Sequence, residues 1–516
     1  MIRYEDSRQQ RLPGFEKFFG IPLDRQNRWI KLSEVVPWDE FAEAYNKNMS
    51  SGMGRPAKPA RLVVGAVIIK HKLCLSDEET IEQIRENPYL QYFVGLHTFQ
   101  TDAPFVPSLF VEVRRRMGNK VFEQFNQAII DRLAAKTSPP KKRRGRDNDD
   151  KNSTASPDQP SEGTQSKNKG KLIIDATVAE QAIRFPTDLS LLNEAREISE
   201  ELIDTLYPLS GLRKKPRTYR RKARKAFLAL AKQKKPTREK RRKARREQLQ
   251  FLKRNLGHIE KLLDLVPDES TALSHHQRRQ YWIIQHLYRQ QEEMHRNRTY
   301  RCDHRIVSIH QPHIRPIVRG KAGKKVEFGA KLGVSLNNGL AQVDNLSWEP
   351  YHEGHDLPAQ VENYRKRHGY YPEVVLADQI YGSRENRRYL KEHNIRFAGK
   401  ALGRPPKATR ENRNQLREEK RRRKVEYQER IPIEGKFGQG KNGYRLNYIR
   451  ARTQSTSEAW IYSIFLVMNL LVLAGSFLRL IKTDLWNSYS VFKELFIGSE
   501  TVSTCFLWQE TTCQTV

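Results

Sequence analysis

The stretch YQERIPIEGKFGQGK, Tyr427 to Lys441, decides how the rest of the chain is read. It sets Tyr427, Arg430, Glu434 and Lys441 at fixed offsets, with Glu434 entering a short helix and Arg430 one turn behind it. A single Glu on such a helix needs carboxylates from elsewhere in the chain to make a site. Two are offered: Asp175 closes the apolar run Leu172-Ile173-Ile174, and Asp378 closes Val374-Val375-Leu376-Ala377. An Asp at the end of a buried strand leaves the core where the backbone reaches the surface. Two such strands side by side place both carboxylates at one rim of a sheet, and a helix carrying Glu434 across that rim completes a three-acid cluster. Three anions at close quarters are unstable unless divalent cations neutralise them, which is what a two-metal phosphoryl-transfer site requires. The plainer reading is that an Asp after an apolar strand caps a turn, and Asp188, Asp344 and Asp356 each remain alternatives in a different register.

The spacing Tyr427-x2-Arg430-x3-Glu434-x6-Lys441 resembles the Tyr-Arg-Glu-Lys signature of bacterial insertion-sequence transposases. DQIYGS, from Asp378, is similar to the Asp-x-x-Tyr-Gly block around that family's second acid, and IIDAT around Asp175 to its first. The likeness covers Lys171 to Ile481 and, more loosely, the segment before it. It implies an RNase H-like catalytic domain with a DDE triad of Asp175, Asp378 and Glu434. It implies two Mg²⁺ ions, with Mn²⁺ able to replace them, and double-stranded DNA as both transposon end and target. A homodimer acting on paired ends is implied as well. In that chemistry water attacks at the transposon end, and the freed 3′-hydroxyl then attacks target DNA.

Bulk properties agree with a polyanion partner. The 516 residues suffice for two or three domains, and a net charge of +34 is self-repelling unless it lies against phosphates. Cys74, Cys302, Cys505 and Cys513 are scattered without metal-ligand spacing and read as reduced thiols. The polar N-terminus lacks the apolar core of a signal peptide, so a cytoplasmic, nucleoid-associated protein is expected. From Trp460 to Leu478 no residue is charged, long enough for a membrane span. It is read here as a helix buried against a sheet, with no membrane as partner.

Along the chain, residues 1–137 predict an N-terminal all-α, DNA-binding domain. Ser76 and Glu79 stand at capping-box spacing, and the helix-turn-helix-like succession makes Arg55, Lys58 and Arg61 candidate phosphate contacts. Residues 138–170, rich in Pro, Ser, Asp and Lys, predict a disordered linker. Residues 171–482 predict an α/β catalytic domain: an RNase H-like mixed sheet with flanking helices. A long basic helical insertion interrupts it at about 190–300 and should add salt-sensitive affinity for DNA. Asn337-Asn338-Gly339 signals a hairpin. No P-loop or GxGxxG opens a helix, so ATP or NAD is not expected. The tail, 483–516, carries no assignable role.

Within the proposed site, Arg430 offers a planar fork for a phosphate or for orienting Glu434. Lys441 suits the backbone of the terminal nucleotides, and Tyr427 a phosphate or a base. Gly435, Gly438, Gly440 and Gly443 argue against a continuous helix there. His352 and His355 in YHEGHD invite a metal reading, but the spacing is not HExxH and a loop near the site is the better expectation. A DNA-binding protein descended from such an enzyme but silent, and a plain metal-dependent nuclease, are the competing readings.

Overall fold

The computed structural model describes residues 23–47, 49, 56–137, 168–266, 269–318, 326–404, 407 and 409–496. Of the linker expected over 138–170, residues 138–167 lie outside these, as do Arg55 and everything from 497 on. Seven helices come first among the described residues: α1 (Arg28–Val35), α2 (Trp38–Asn46), α3 (Ala60–Leu73), α4 (Asp77–Glu86), α5 (Pro88–Phe93), α6 (Leu109–Arg116) and α7 (Asn119–Thr137). Strand β1 (Lys171–Glu180) leads to α8 (Asp188–Leu206), α9 (Arg220–Ala231), α10 (Arg238–Leu265), α11 (Glu269–Ala272) and α12 (His275–Arg296). Then come β2 (Arg315–Val318), β3 (Val326–Asn337), β4 (Leu340–Ser347), α13 (Leu357–His368), β5 (Val374–Leu376), α14 (Arg384–Glu392) and β6 (Arg396–Ala398). Helices α15 (Arg413–Gly438) and α16 (Gln454–Phe496) close the order.

The sheet is mixed. Its order is β2-β3-β1-β5-β6, with β4 also paired to β3. Strand β1 runs antiparallel to β3 and parallel to β5, which is parallel to β6. Asn338 and Gly339, at φ +49° and +80°, make the tight β3–β4 turn expected of their sequence. Gly329 is required where β3 meets β1, because a Cβ there would lie 1.9 Å from the Ala179 carbonyl oxygen.

The two faces of β1 are covered differently, following the alternation of side chains along a strand. Leu172 and Ile174 pack with Leu357, Val361, Tyr381 and Leu390, from α13, α14 and the turn between β5 and α14. Ile173 and Ala179 lie on the other face, in the core that holds Ile433 of α15 with Ile461, Ile464 and Phe465 of α16.

The apolar stretch after Trp460 lies in α16, of which Gln454–Ser476 is long and apolar enough to cross a membrane. In this structure it is packed between two cores: the sheet on one side, and on the other α1–α7. Trp460 anchors that second contact, with the buried Lys70 ammonium 4.6 Å from its ring centre and His71 edge-on at 5.2 Å. Asp77 neutralises both Lys70 (2.9 Å) and Arg114 (2.7 Å) beneath it.

Helices α3 and α4 do follow one another across a short turn, and Ser76 Oγ accepts from the Glu79 N–H as its spacing predicts. Every residue of α3 from Ala60 to His71 is buried, however. The outer side of α4 presents Glu78, Glu79 and Glu86, the wrong sign for a phosphate backbone. Arg61 is a correction. It is only 8% exposed, and its guanidinium donates to Ser33 Oγ (2.9 Å) and to the Tyr92 and Phe93 carbonyls (both 3.2 Å) over the Trp38 ring. It is spent closing the ends of neighbouring helices and presents no surface to DNA. Lys58 is exposed.

Helices α8 to α12 form a bundle with a core of its own, including Leu192, Ile203, Leu252, Ile259, Ile284 and Leu287. Its base is fixed by Asp188, 11% exposed. Asp188 Oδ1 accepts from Arg305 (2.7 Å) and Gln291 (3.1 Å), and Oδ2 from Arg245 (3.1 Å).

Candidate active site

The β1–β5 register brings the two aspartates level. Its last pair is Ile173 with Leu376, and two residues further along both strands stand Asp175 and Asp378. Asp378 keeps extended dihedrals (φ −69°, ψ 159°) and caps the turn Gln379–Tyr381, Oδ1 accepting from the Gln379 N–H at 2.6 Å. By strand alternation both acids share the face of Ile173 and Leu376, the side on which α15 packs.

Helix α15 crosses β1 and β5 and is pinned by charge as well as by buried Ile433. Lys171 Nζ meets Glu429 Oε1 at 2.6 Å, and Arg396 of β6 pairs with Glu426. Glu434 sits in the last turns of a 26-residue helix rather than at the start of a short one. Leu416, Val425 and Ile433 are too sparse in that stretch of arginine and lysine to show a helical face in the sequence. The glycines do not break it: α-helical turns run to Gly438 and widen into a π turn over Gln439–Gly443. Beyond it Ile449 pairs with the end of β1, its N–H donating to the Glu180 carbonyl at 2.9 Å, so both ends of the Glu434 segment are tied to the strand that carries Asp175. Pro432, inside the helix, leaves the Gln428 carbonyl without its usual donor.

Arg430 lies between the acids. Its Nη2 donates to Glu434 Oε1 at 3.0 Å, and its Nη1 lies 3.7 Å from Asp175 Oδ2. Burial raises the Asp175 carboxyl above its ordinary value; the Ala176 N–H and Arg430 pull it back, and Glu353 and Asp378 push it up again. Asp378, Glu426, Tyr427 and the cations Lys400, Arg423 and Arg430 are among the residues that line a cleft of about 330 Å³. Tyr427 is 61% exposed, its ring 5.7 Å from the Arg430 guanidinium carbon. Lys441 stands apart from this cleft, 3.5 Å from Glu327 Oε1 of β3.

An all-carboxylate donor set suits a hard divalent cation. The spacing does not yet suit one: among the described residues no three His, Cys, Asp or Glu side chains lie close enough to share an ion. The expected three-acid cluster is therefore met by a guanidinium bridging two of its members. The alternatives to the aspartates are engaged elsewhere. Asp188 anchors the bundle, Asp344 pairs with Arg367 (2.7 Å), and Asp356 accepts from Tyr351 (2.6 Å) and Asn345 (2.8 Å). His352 and His355 stack edge to face at 5.4 Å.

Two features of the site had no clear signal in the sequence. Asn386 donates to the Gly354 (2.6 Å) and Tyr381 (2.8 Å) carbonyls, clamping the turn that carries Glu353 to the turn that Asp378 opens. Tyr381 is fully buried, and its hydroxyl has no hydrogen-bond partner among the described residues; burial, then Glu353 and Asp175, raise its pKa.

Comparison with known proteins gives the family. A family model described as Transposase DDE domain matches residues 375–471, a span that includes Asp378 and Glu434 and stops short of Asp175. A second, Transposase domain (DUF772), matches residues 20–116. The chain belongs to the insertion-sequence transposases. Among curated proteins it is similar to the uncharacterized protein ORF8 in the nfe locus of Rhizobium meliloti, 32% identical over 169 residues, 33% of this chain and 69% of that one. No solved structure matches.

Proposed function

We propose that this transposase cuts transposon ends and joins the 3′-hydroxyl to target DNA through Asp175, Asp378 and Glu434. The observation that carries the reading is the β1–β5 register, which sets Asp175 level with Asp378 on the face that α15 crosses with Glu434. The sheet order, an antiparallel β3–β1 pair beside parallel β5 and β6, supports an RNase H-like catalytic domain. The three acids would hold Mg²⁺ or Mn²⁺, and the bound cations would activate the attacking oxygen and stabilise the leaving one.

The side chains around them have separable tasks. Lys400 and Arg423 on the cleft wall hold a phosphodiester. Arg430 trades its carboxylates for a phosphate oxygen, since its fork matches either, and this exchange unmasks Asp175 and Glu434. Tyr427 flanks the same phosphate. Lys441 neutralises Glu327 and steadies the π turn behind Glu434, a smaller role than the nucleotide contact expected of it. Two protomers would act on paired ends.

The test is an oligonucleotide with a 3′-hydroxyl transposon end incubated with a circular target and scored for joined product. Wild type should join. Asp175→Asn, Asp378→Asn and Glu434→Gln should each fail while still binding DNA. Joining by any one of the three removes that residue from the site, and nicking without joining by wild type makes the protein a nuclease.

A further inference from the structure

The largest block of charge lies outside the cleft. Residues 213–254 hold 21 of the chain's Lys and Arg against two Glu, a net +19 of the total +34. Twenty of the 21 are exposed; Arg245, in the Asp188 anchor, is the exception. Within salt-bridge distance of a carboxylate, among the described residues, stand only Lys215 and Arg220 (both near Asp204) and Arg245. A solvated face is ordinarily laced with both signs, and like charges at i, i+4 spacing destabilise a helix. Here Arg221, Lys222 and Lys225 of α9 have no acid among them, and Arg238, Arg241, Arg242 and Lys243 of α10 have only Glu239. The first turn of α9 carries Arg220–Lys222, and that of α10 carries Arg238, Lys240 and Arg241 against the single acid Glu239, so cations outnumber anions where the helix dipole favours anions.

The buried side of these helices shows that the charge is displayed by a rigid body. Leu249, Leu252, Leu256 and Ile259 of α10 sit in the bundle core with α8 and α12. Asp188, eight residues after the end of β1, ties α8 to Arg245 of α10, Gln291 of α12 and Arg305. The basic part of α10, Arg238–Arg254, spans 17 of its 28 residues, about 25 Å, and matches about 7 base pairs of duplex.

We propose that the exposed basic face of α9 and α10 is a duplex-DNA clamp, separate from the cleft, that supplies most of the protein's sequence-independent affinity. Duplex DNA is the occupant because the chain is a transposase, and because a dense face of exposed cations on two helices meets the closely spaced phosphates of a duplex.

The experiment replaces six exposed cations of the arm, Arg221, Lys222, Lys225, Arg241, Arg242 and Lys243, by Gln in the full chain. Circular dichroism checks the fold, and binding to a random-sequence 30-base-pair duplex is measured across NaCl concentrations. The log–log salt slope should become shallower by up to about five, and affinity at 150 mM salt should fall by at least about a hundredfold. A control variant neutralises Arg115, Arg116, Lys120, Lys366, Arg388 and Lys391, exposed cations elsewhere, and should change the slope by less than half as much. An unchanged slope in the arm variant, an equal loss in the control, or tighter arm-dependent binding to a structured RNA of equal charge each overturns the proposal. Asp175→Asn should keep the full salt slope, so failure of the catalytic reading and failure of the clamp are told apart.

Discussion

Asp175→Asn should abolish cleavage and yet stabilise the cation-free protein. Asp175 is 19% exposed, and burial raises its carboxyl despite the Ala176 N–H at 2.8 Å and Arg430 at 3.7 Å. The folded chain thus holds this proton more tightly than the unfolded one. Wild-type stability falls as pH rises through the window from the ordinary aspartate value, about 3.9, to the raised folded value. Asn keeps the acceptor for Ala176 and loses the charge. Removing an unfavourable buried charge of this kind gains about 1 kcal/mol, or about 1–2 °C in melting temperature for a chain of this length. The advantage should be complete above that pH window and vanish below it.

Adding Mg²⁺ reverses the order. At ten times its dissociation constant a cation bound only by the folded wild type adds about 1.4 kcal/mol, which Asp175→Asn cannot collect. The assay is a melting series in EDTA and in Mg²⁺, run from pH 3.5 to 8. A lower melting temperature for Asp175→Asn in EDTA at pH 7 would mean that Arg430 more than repays the burial of this carboxylate. Equal Mg²⁺ stabilisation of both proteins would refute its role as a ligand.

Other consequences follow from particular contacts. Arg430→Ala should weaken binding to DNA ends at least about tenfold, as loss of a charge-assisted bidentate contact does, and raise Mg²⁺ affinity in the absence of DNA; titration calorimetry with Mg²⁺ alone reads the second effect, and no gain would show that Arg430 does not mask the acids. Arg61→Ala should cost about 2–4 kcal/mol in denaturant unfolding with no change in DNA affinity per folded molecule, whereas a surface phosphate contact would give the opposite pattern. Asp188→Ala strands Arg245, Arg305 and Gln291 and should lower hydrogen-exchange protection in α8, α10 and α12 by about 3 kcal/mol, leaving α1–α7 unchanged. Gly329→Ala should fail to give soluble, cooperatively folding protein, since its Cβ meets the Ala179 carbonyl at 1.9 Å.

The amino-acid sequence by itself determined the strands that present Asp175 and Asp378, because a continuous apolar run followed by Asp is a local pattern, although β1 runs on past Asp175 to Glu180 and β5 stops at Leu376. It also determined the Asn338-Gly339 turn, the Ser76 cap, the charge concentrated in the inserted bundle, and the apolar helix after Trp460. Each of these depends on residues that are neighbours along the chain. Tertiary structure alone decided the rest. Arg61 looks like a surface cation in GRPAKPAR and is buried, because the helices that enclose it come from residues 28–46 and 88–93. Asp188, which stood among the alternative acids, anchors the bundle through Arg245, Arg305 and Gln291, 57 to 117 residues away. The helix after Trp460 is sheathed by α1–α7, and the acids are spanned by Arg430. Which cation neutralises which carboxylate depends on through-space distance and on the water excluded around the pair, and neither is written in the spacing of residues along a chain.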